Sequence, residues 1–416
     1  MHRTWNDLIL AFCRPVTGGR RALLVSLGFV LLFACYVTEW NAQWDFEVYQ
    51  RASLALLHGE NPYPVESPDS PSPPAKLPYL YSPLFARLVT PIVLLGVVRS
   101  KLVWVILKCL ALIACAVLTI CLVEIPFSVG SFGILVLFMT VYQPIGFDIS
   151  AGNVALFESG AILAGLYAWK RKRPVLAGFL LTLPAMVKAT CLLVLLYPFH
   201  RRDWRVLRGV ASAIVMLAVL SLPDRRHLME MLQFLRGPIW VNYWDDLVQG
   251  YYNLSAVTVI QHIFGQTYIL EPILPIPWVP PFFAPLFPIV VIVLTAWAIA
   301  QAEKRRDLSP YDHSILSLVL LTALLLPPRL AGYSLAWTLF PIVSLACRFM
   351  ACRDKIIGLL LVIGFALIQL HVRPSHVPPG IAQLVIDHCF FGLLFLYAAT
   401  VRAVSRLRNE MRMSGD

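Results

Sequence analysis

The sequence predicts an all-α, multi-pass membrane protein that forms a single domain. Of its 416 residues, 59% are hydrophobic and 14% are charged, and the mean hydropathy is +0.73. Apolar runs recur from end to end, each near the ~20 residues with which a helix crosses a bilayer. We therefore expect about ten to twelve membrane segments, some of them re-entrant.

The charge pattern supports a membrane protein and argues against a nucleic-acid partner. The net charge is +11, but the basic residues cluster in short segments between apolar runs, as is typical of cytoplasmic loops. These segments are 99–101, 170–173, 201–205, 304–306, 353–355 and 402–408. No cysteine lies in the long segment 40–80, so no disulfide framework is expected.

The first span is expected from about Ala22 to Tyr36. It carries no charge and follows Arg20 and Arg21, so the positive-inside rule places residues 1–21 in the cytoplasm. No small-residue cleavage site follows, which indicates a signal anchor rather than a cleaved signal peptide.

Residues 40–80 then form the first outer loop, and its first half predicts an amphipathic helix on the membrane surface. Asp45 is a plausible N-cap and Gly59 a plausible stop. The apolar face would contain Phe46, Tyr49 and Leu56. The prolines between 61 and 74 exclude a helix there and predict an extended cover over the outer face.

The number of crossings between residues 124 and 199 is open. A span that ends near Arg99 and a second at 102–123 would bring the chain back outside. Three ordinary spans would then place the basic segment 170–173 outside, against the charge rule. These spans would be 129–147, 152–169 and 174–198. Re-entrant hairpins at 124–147 and 174–199, broken near Pro144 and Pro184, would return that segment to the cytoplasm, and we favour them.

The remaining runs are more regular. Residues 206–222 lead outward, 223–280 form a second outer segment rich in aromatic residues, and 282–300 return inward. Further outer turns are expected at 327–333 and 371–380. The tail, 402–416, is expected in the cytoplasm.

Two acidic and two basic residues are the first candidates for chemistry. Asp45 and Glu47 follow the first span, where an acidic pair suggests catalysis or ion handling, although Asp45 could equally cap a helix. Lys188 lies deep in an apolar run, where a charge costs at least ~2.5 kcal/mol, so we expect it to meet an anion in a cavity rather than to snorkel. Arg329 lies on an outer turn, where it could bind an anion or be solvated.

Further polar residues have both a structural and a functional interpretation. Asp148 and Asn153 begin a helix and could simply cap it, whereas Glu158, one turn later, is harder to explain as a cap. Asn253 begins an Asn-Leu-Ser sequon, a short pattern that also occurs by chance. An aromatic cluster in the second outer segment is typical of an interfacial belt, or could stack on an acceptor sugar. It consists of Trp240, Tyr243, Trp244, Tyr251 and Tyr252.

Several short motifs follow one another in a specific order. They are Asp45-Phe-x-Val-Tyr49, Leu57-x-Gly59-x-Asn-Pro-Tyr63, Tyr79-x-Tyr-Ser-Pro-Leu-Phe85, Gly152-Asn153, Ala177-Gly178 leading to Lys188, and Pro328-Arg-Leu-x-x-Tyr333. With its motifs in this order, the chain resembles glycosyltransferase family 87, the DUF2029 group of polyprenol-phosphate-sugar-dependent enzymes. The resemblance covers about residues 40–345. The family commonly has Gly-Gln at Gly152-Asn153 and Pro-Pro at Ser82-Pro83, and both changes are conservative.

The resemblance implies a GT-C membrane fold and a glycosyltransferase of the plasma membrane whose site faces the periplasm or cell exterior. Such an enzyme would move a hexose, mannose above all, or a pentose from a polyprenyl phosphate to a glycolipid or glycan acceptor. The lipid bilayer is its other partner. We predict no cofactor and no metal ligand, and leave a requirement for a divalent metal open.

That chemistry fits the candidate residues. In a single displacement that inverts the anomeric centre, a carboxylate takes the proton of the acceptor hydroxyl, and Asp45 is our candidate. The leaving lipid phosphate gains negative charge, which Lys188 and Arg329 would stabilise. We expect further substrate contacts, most of them from the motifs: Glu47, Tyr49, Tyr81, Asn153, Trp244, Asn253 and Tyr333.

A transporter or lipid flippase is the main alternative, because Lys188 and Glu158 would also suit an ion or headgroup pathway. The hydropathy shows no clear inverted repeat, which weakens it. The order of the motifs argues against a non-catalytic scaffold. The sequence contains no P-loop, dinucleotide fingerprint, paired-histidine motif or GxSxG elbow, so ATP-driven transport, redox chemistry and serine hydrolysis lack support.

Overall fold

The computed structural model is all-α, as the sequence predicts. It describes residues 43–63, 79–126, 128–221, 225–236, 253–265, 271–304, 309, 311–370, 372 and 383–407. Helices account for 81% of these residues, and no strand occurs among them. The predicted first span, most of the Pro-rich cover and the tail after Leu407 lie outside the described residues.

Four described helical segments are long and apolar enough to cross a membrane. They are Val97–Val123, Val279–Glu303, Gly332–Cys352 and His388–Arg406. A fifth crossing results if Gly130–Val141 and Gln143–Ala151, which meet at 65° beside Pro144, form one bent span. Shorter apolar helices are Pro83–Val93, Pro174–Met186, Ala189–His200, His313–Leu325 and Lys355–Gln369. The total number of membrane segments stays a prediction, because the first span lies outside the described part.

The chain forms two compact units, residues 1–141 with 146–241 and residues 142–145 with 242–416. The helices up to residue 236 are α1 (Trp44–His58), α2 (Pro83–Val93), α3 (Val97–Val123), α4 (Val129–Val141), α5 (Gln143–Ala151), α6 (Ala155–Lys170), α7 (Pro174–Thr182), α8 (Leu196–His200), α9 (Trp204–Ser221) and α10 (Arg225–Arg236). Two 3₁₀ segments, Leu183–Met186 and Ala189–Leu195, connect α7 to α8.

In the first unit, α3 and α6 run side by side in the same direction. Near their starts, Trp104 Nε1 donates to Gly152 O at 2.8 Å. Near their ends, Lys170 Nζ donates to Leu122 O at 2.7 Å. The basic segment 170–173 therefore lies at the end of the unit where α3 terminates.

This arrangement corrects the predicted topology before residue 123. We expected a span that ends near Arg99 on the face opposite Glu47. Instead, Lys101 Nζ lies 2.7 Å from Glu47 Oε1, so α3 begins on the same side as α1. The reason is that α2 has only 11 residues, about 16 Å of helix, before the turn at Gly96 with φ +86°.

Of the two predicted hairpins, the structure shows the second but not the first. α4 and α5 lead from the end of α3 back along it, past the Lys108–Asp148 pair to the contact of Trp104 with Gly152, so they do not return to the end where they began. At 174–199 the chain does turn back, with its tip near Lys188. Trp169 Nε1 donates to Asp203 Oδ2 at 2.8 Å, which holds both ends of this hairpin together.

Small residues let α7 and α9 approach closely. A Cβ on Gly178 would lie 1.9 Å from Val206 O, and one on Gly209 would lie 1.9 Å from Val175 O. Such contacts are typical of helix pairs in membranes. The Ala177-Gly178 motif is therefore explained by packing.

The second unit contains α11 (Ala256–Phe264), α12 (Val279–Glu303), α13 (His313–Leu325), α14 (Leu339–Cys352), α15 (Lys355–Gln369), α16 (Gln383–Ile386) and α17 (His388–Arg406). A 3₁₀ segment, Gly332–Thr338, precedes α14. α17 packs against α12, α13 and α15. It is joined to α12 by Tyr397, whose hydroxyl lies 2.8 Å from Thr295 Oγ1.

Candidate functional site

α1 places Asp45 inside the protein rather than at a helix cap. The helix begins at Trp44, so Asp45 lies in its first turn, and the N-cap is Gln43, whose side chain makes no capping hydrogen bond. The predicted capping role of Asp45 is therefore wrong. The predicted stop is confirmed, because Gly59 adopts a left-handed conformation with φ +87°.

The buried face of α1 carries Phe46 and Tyr49, as predicted, with the half-buried Leu56 packed against the same core. Asp45 is buried on this helix as well. The face therefore combines aromatic rings with a carboxylate, which is unlike the purely apolar side of a surface helix.

Asn153 joins Asp45 to two tyrosines. Its Nδ2 donates to Asp45 Oδ2 at 2.6 Å and lies 3.4 Å from Tyr49 OH and 3.3 Å from Tyr81 OH. The two hydroxyls are 3.3 Å apart. We call these four residues the Asp45 cluster; all four are sequence-predicted site residues.

The Gly152-Asn153 pair is needed for this geometry. Gly152 has φ +71°, and a Cβ there would lie 2.9 Å from Phe46 Cβ, so any larger residue would push α1 away. Asn153 Oδ1 accepts a hydrogen bond from Ala155 N at 3.2 Å, at the start of α6. Asp148 Oδ1 accepts from the same N–H at 3.1 Å, so both side chains bind the first N–H of α6, although the N-cap residue is Val154 and Asp148 lies in the last turn of α5.

Lys188 approaches the Asp45 cluster from the hairpin tip. Its Nζ lies 3.3 Å from Glu158 Oε1 and 3.5 Å from Asn153 Oδ1. The Lys188 side chain is 22% exposed and that of Glu158 1%. The Ser82 hydroxyl donates to Met186 O, which ties the Tyr-Ser-Pro motif to the hairpin. Lys188 is therefore paired, and it does not simply extend to a headgroup.

An apolar cavity of about 380 Å³ adjoins this ion pair. Glu158 is its acidic wall residue, and Val187 brings the hairpin tip to it. The remaining wall includes Phe85, Leu107, Phe157 and Pro184. An apolar cavity of this size can hold part of a hydrocarbon chain, next to the Lys188–Glu158 pair.

Other predicted site residues lie elsewhere. Glu47 pairs with Lys101 and is 50% exposed, so it does not join the Asp45 cluster. Trp244 and its aromatic neighbours lie outside the described residues.

Three predicted site residues belong to the second unit. Asn253 is buried, donates to Pro328 O at 3.1 Å and accepts from Leu330 N at 2.9 Å, so its amide clamps the exposed Arg329 from both sides. Tyr333 is half-buried in the 3₁₀ segment before α14. Asn253 therefore makes a positioning contact that its place in an Asn-Leu-Ser sequon did not predict.

A second buried ion pair was not predicted from the sequence. Lys108 Nζ lies 2.5 Å from Asp148 Oδ2, and both side chains are 0% exposed. The signal was present, since Lys108 interrupts the apolar run of α3 as Lys188 interrupts its own.

Comparison with known proteins adds one finding. Residues 79–328, more than half of the chain, match the family model described as Glycosyltransferase family 87. The match includes Tyr81, Asn153 and Lys188 and leaves Asp45 and Arg329 outside it. No curated protein and no solved structure matches the chain.

Proposed function

Because the chain belongs to glycosyltransferase family 87 and is thus a membrane glycosyltransferase, we propose that its donor is a polyprenyl-phosphate sugar. The sugar is a hexose, mannose above all, or a pentose, and the acceptor is a glycolipid or glycan. One observation carries the proposal: the Asp45 carboxylate and the Lys188 ammonium contact opposite ends of the same Asn153 amide, beside an apolar cavity.

Asp45 acts as the general base of a single displacement. It takes the proton of the acceptor hydroxyl while that oxygen attacks the anomeric carbon, and the bond from this carbon to the phosphate oxygen breaks. The phosphate leaves with the electron pair, and the anomeric centre inverts. The Asn153 amide holds one carboxylate oxygen, and the nearby hydroxyls of Tyr49 and Tyr81 are the proposed partners of the sugar hydroxyls.

Lys188 stabilises the charge that develops on the leaving phosphate. Its Nζ lies 3.3 Å from Glu158 Oε1 and 3.5 Å from Asn153 Oδ1, and Glu158 and Val187 bring this end of the hairpin to the cavity wall. The adjoining cavity would accommodate the first part of the lipid chain. Arg329, on the second unit, is the further cation proposed for the phosphate.

The site is proposed to face the periplasm or the cell exterior, across the plasma membrane from the basic segment 170–173. This segment lies at the opposite end of α3 and α6 from the Asp45 cluster, and the positive-inside rule favours the cytoplasm for it. A cysteine at Arg171 should therefore resist a membrane-impermeant thiol reagent in intact cells, whereas one at the exposed Glu60 should react. The reverse labelling pattern would overturn the orientation.

The transporter or flippase is not favoured. Its intramembrane residues Lys188 and Glu158 pair with each other at 3.3 Å, and the family membership is that of a glycosyltransferase.

Asp45→Asn tests the proposal. With purified protein, a labelled polyprenyl-phosphate sugar and lipid acceptors, transfer should fall by roughly 10²–10⁴-fold, because only the basic carboxylate is removed. Glu60→Gln, an exposed acid just after α1, is the matched control and should retain transfer. Wild-type turnover in Asp45→Asn at equal expression would exclude Asp45 as the base.

A further inference from the structure

We propose that Asp148, buried in an ion pair with Lys108, is a positioning residue whose side-chain oxygen fixes Asn153 and, through it, Asp45. The inference rests on the proposed role of Asp45. Neither side chain of the pair bonds to a side chain of the Asp45 cluster: both are fully buried, and their polar contacts are to backbone and to each other.

The pair holds the connection from α5 to α6 at both ends. Lys108 Nζ lies 2.5 Å from Asp148 Oδ2 and 2.5 Å from Asp148 O. That carbonyl also accepts from Asn153 N at 3.1 Å. Asp148 Oδ1 accepts from Ala155 N at 3.1 Å, the N–H that Asn153 Oδ1 also uses. The backbone on either side of Asn153 is thus tied to one ion pair.

The charges also match the ends of the two helices. The Lys108 ammonium lies at a carbonyl in the last turn of α5, and the Asp148 carboxylate lies at the first N–H of α6. Each charge complements the partial charge of its helix end. In the loop between them, residues 152 to 154, Asn153 N is held by the Asp148 carbonyl, and the loop ends at Ala155 N, which the Asp148 carboxylate holds.

A sealed ion pair is a poor source of net stability, because the cost of dehydrating two charges offsets their attraction. Its contribution here is to fix the positions of the groups around Asn153. A displacement of ~1 Å at a positioning group can lower a rate by up to roughly 10²-fold. Asn153 is such a group, since its amide meets both Asp45 and Lys188.

Two double variants isolate the positioning contact. Lys108→Met/Asp148→Asn removes both charges and keeps an oxygen that can accept from Ala155 N. Lys108→Met/Asp148→Ala removes the charges and that oxygen. We expect kcat to fall by roughly tenfold or more in the alanine variant and to stay within about threefold of wild type in the asparagine variant. The donor KM should change by less than about twofold in both, since Lys188 and the cavity are intact.

The two variants differ in one side-chain amide, so a merely structural pair would give them the same kcat. Equal kcat values, or a change confined to KM, would overturn the inference. If the alanine variant does not fold, Lys108→Met/Asp148→Ser replaces it, because serine is too short to reach Ala155 N. Failure of both to fold, with the asparagine variant folded, would assign the contact to stability alone and also overturn it.

Asp45→Asn, measured beside them, separates this inference from the proposed function. Loss of transfer in Asp45→Asn with equal kcat in the two doubles would reject the positioning role only. Full transfer in Asp45→Asn would reject Asp45 as the general base, and with it the reason for positioning Asn153.

Discussion

Two lysine–carboxylate pairs lie close to the start of α6, and they differ in what can reach them. In Lys108–Asp148 the charged atoms are 2.5 Å apart and both side chains are 0% exposed. In Lys188–Glu158 they are 3.3 Å apart, and the lysine is 22% exposed beside the cavity. The first pair is enclosed by the backbone around it, whereas the second is partly open beside the cavity.

The comparison shows how to interpret a charge in an apolar segment. Depth in the sequence marks both lysines as costly and therefore as candidates for function. Only the surroundings separate their tasks: Lys108 meets a carbonyl and a carboxylate, and Lys188 meets a carboxylate at a cavity wall. A buried charge thus indicates a function. Whether it lies beside a cavity indicates whether that function is ligand binding or the positioning of nearby groups.

The largest effect on stability is expected from Lys108→Met. It leaves the Asp148 carboxylate buried without its counter-charge, which typically costs about 3–5 kcal/mol in the free energy of unfolding. Denaturant unfolding in detergent would measure this. Lys108→Met/Asp148→Asn should recover most of the loss, and a loss below about 1 kcal/mol in the single variant would show that the pair is hydrated.

A smaller effect on folding, and a larger one on transfer, is expected from Lys188→Gln. The change removes the counter-charge of Glu158, but glutamine can still donate a hydrogen bond to that carboxylate, and this pair is partly exposed. Removing a donor aimed at developing charge typically lowers kcat by about 10²–10³-fold, or 2.7–4 kcal/mol. The measurement is the donor KM and kcat at saturating acceptor and matched expression. A loss confined to kcat places the lysine at the leaving phosphate, and a rise confined to KM indicates uniform donor binding. No change in either would exclude Lys188 and leave Arg329 as the phosphate partner.

Much of the fold could be predicted from periodicity and helix signals. The helix after Gln43, its stop at Gly59, the breaks beside Pro144 and Pro184 and the hairpin at 174–199 all follow from local rules. Local rules did not give the right conformation for residues 79–99, because an apolar run of that length is compatible with one span or with a short helix and a turn. Where α2 ends is settled by the contact of Lys101 with Glu47, which lies 54 residues away in sequence.

The residues of the site could be predicted from the sequence, but the contacts between them could not. Motif order identified Asp45, Tyr81, Asn153 and Lys188, which the structure brings together. Which residue contacts which depends on packing between helices, so the central place of Asn153 was not foreseen. Glu47 was misplaced for a simpler reason: it lies two residues from Asp45, and 200° around a helix carries it to the other side.

The second unit offers a third kind of ion pair, at the outside of helices. Asp354 caps α15 by accepting from Ile356 N at 2.9 Å, and its carboxylate also accepts from Arg402 Nε at 3.0 Å and from Arg406. Burial acts to raise the pKa of Asp354, but these hydrogen bonds from Arg402 and the backbone outweigh it and hold the pKa below its ordinary value of 3.8. The arginines remain in contact with solvent, so this pair should contribute least of the three.

The smallest effect is therefore expected from Asp354→Asn. Asparagine caps a helix about as well as aspartate, so the change removes the charge alone, and the free energy of unfolding should fall by less than about 1 kcal/mol at pH 7. Because the folded-state pKa is lowered, the ion pair stabilises the protein above pH 3.8, and this contribution is lost as the pH falls through the folded-state value. The difference between wild type and variant should thus be constant from pH 5 to 7 and shrink in more acidic buffer, and it should also shrink in 1 M salt. A difference that persists in acid would mean that the loss does not come from the charge of Asp354, and a loss as large as that of Lys108→Met would show that exposure does not rank these pairs.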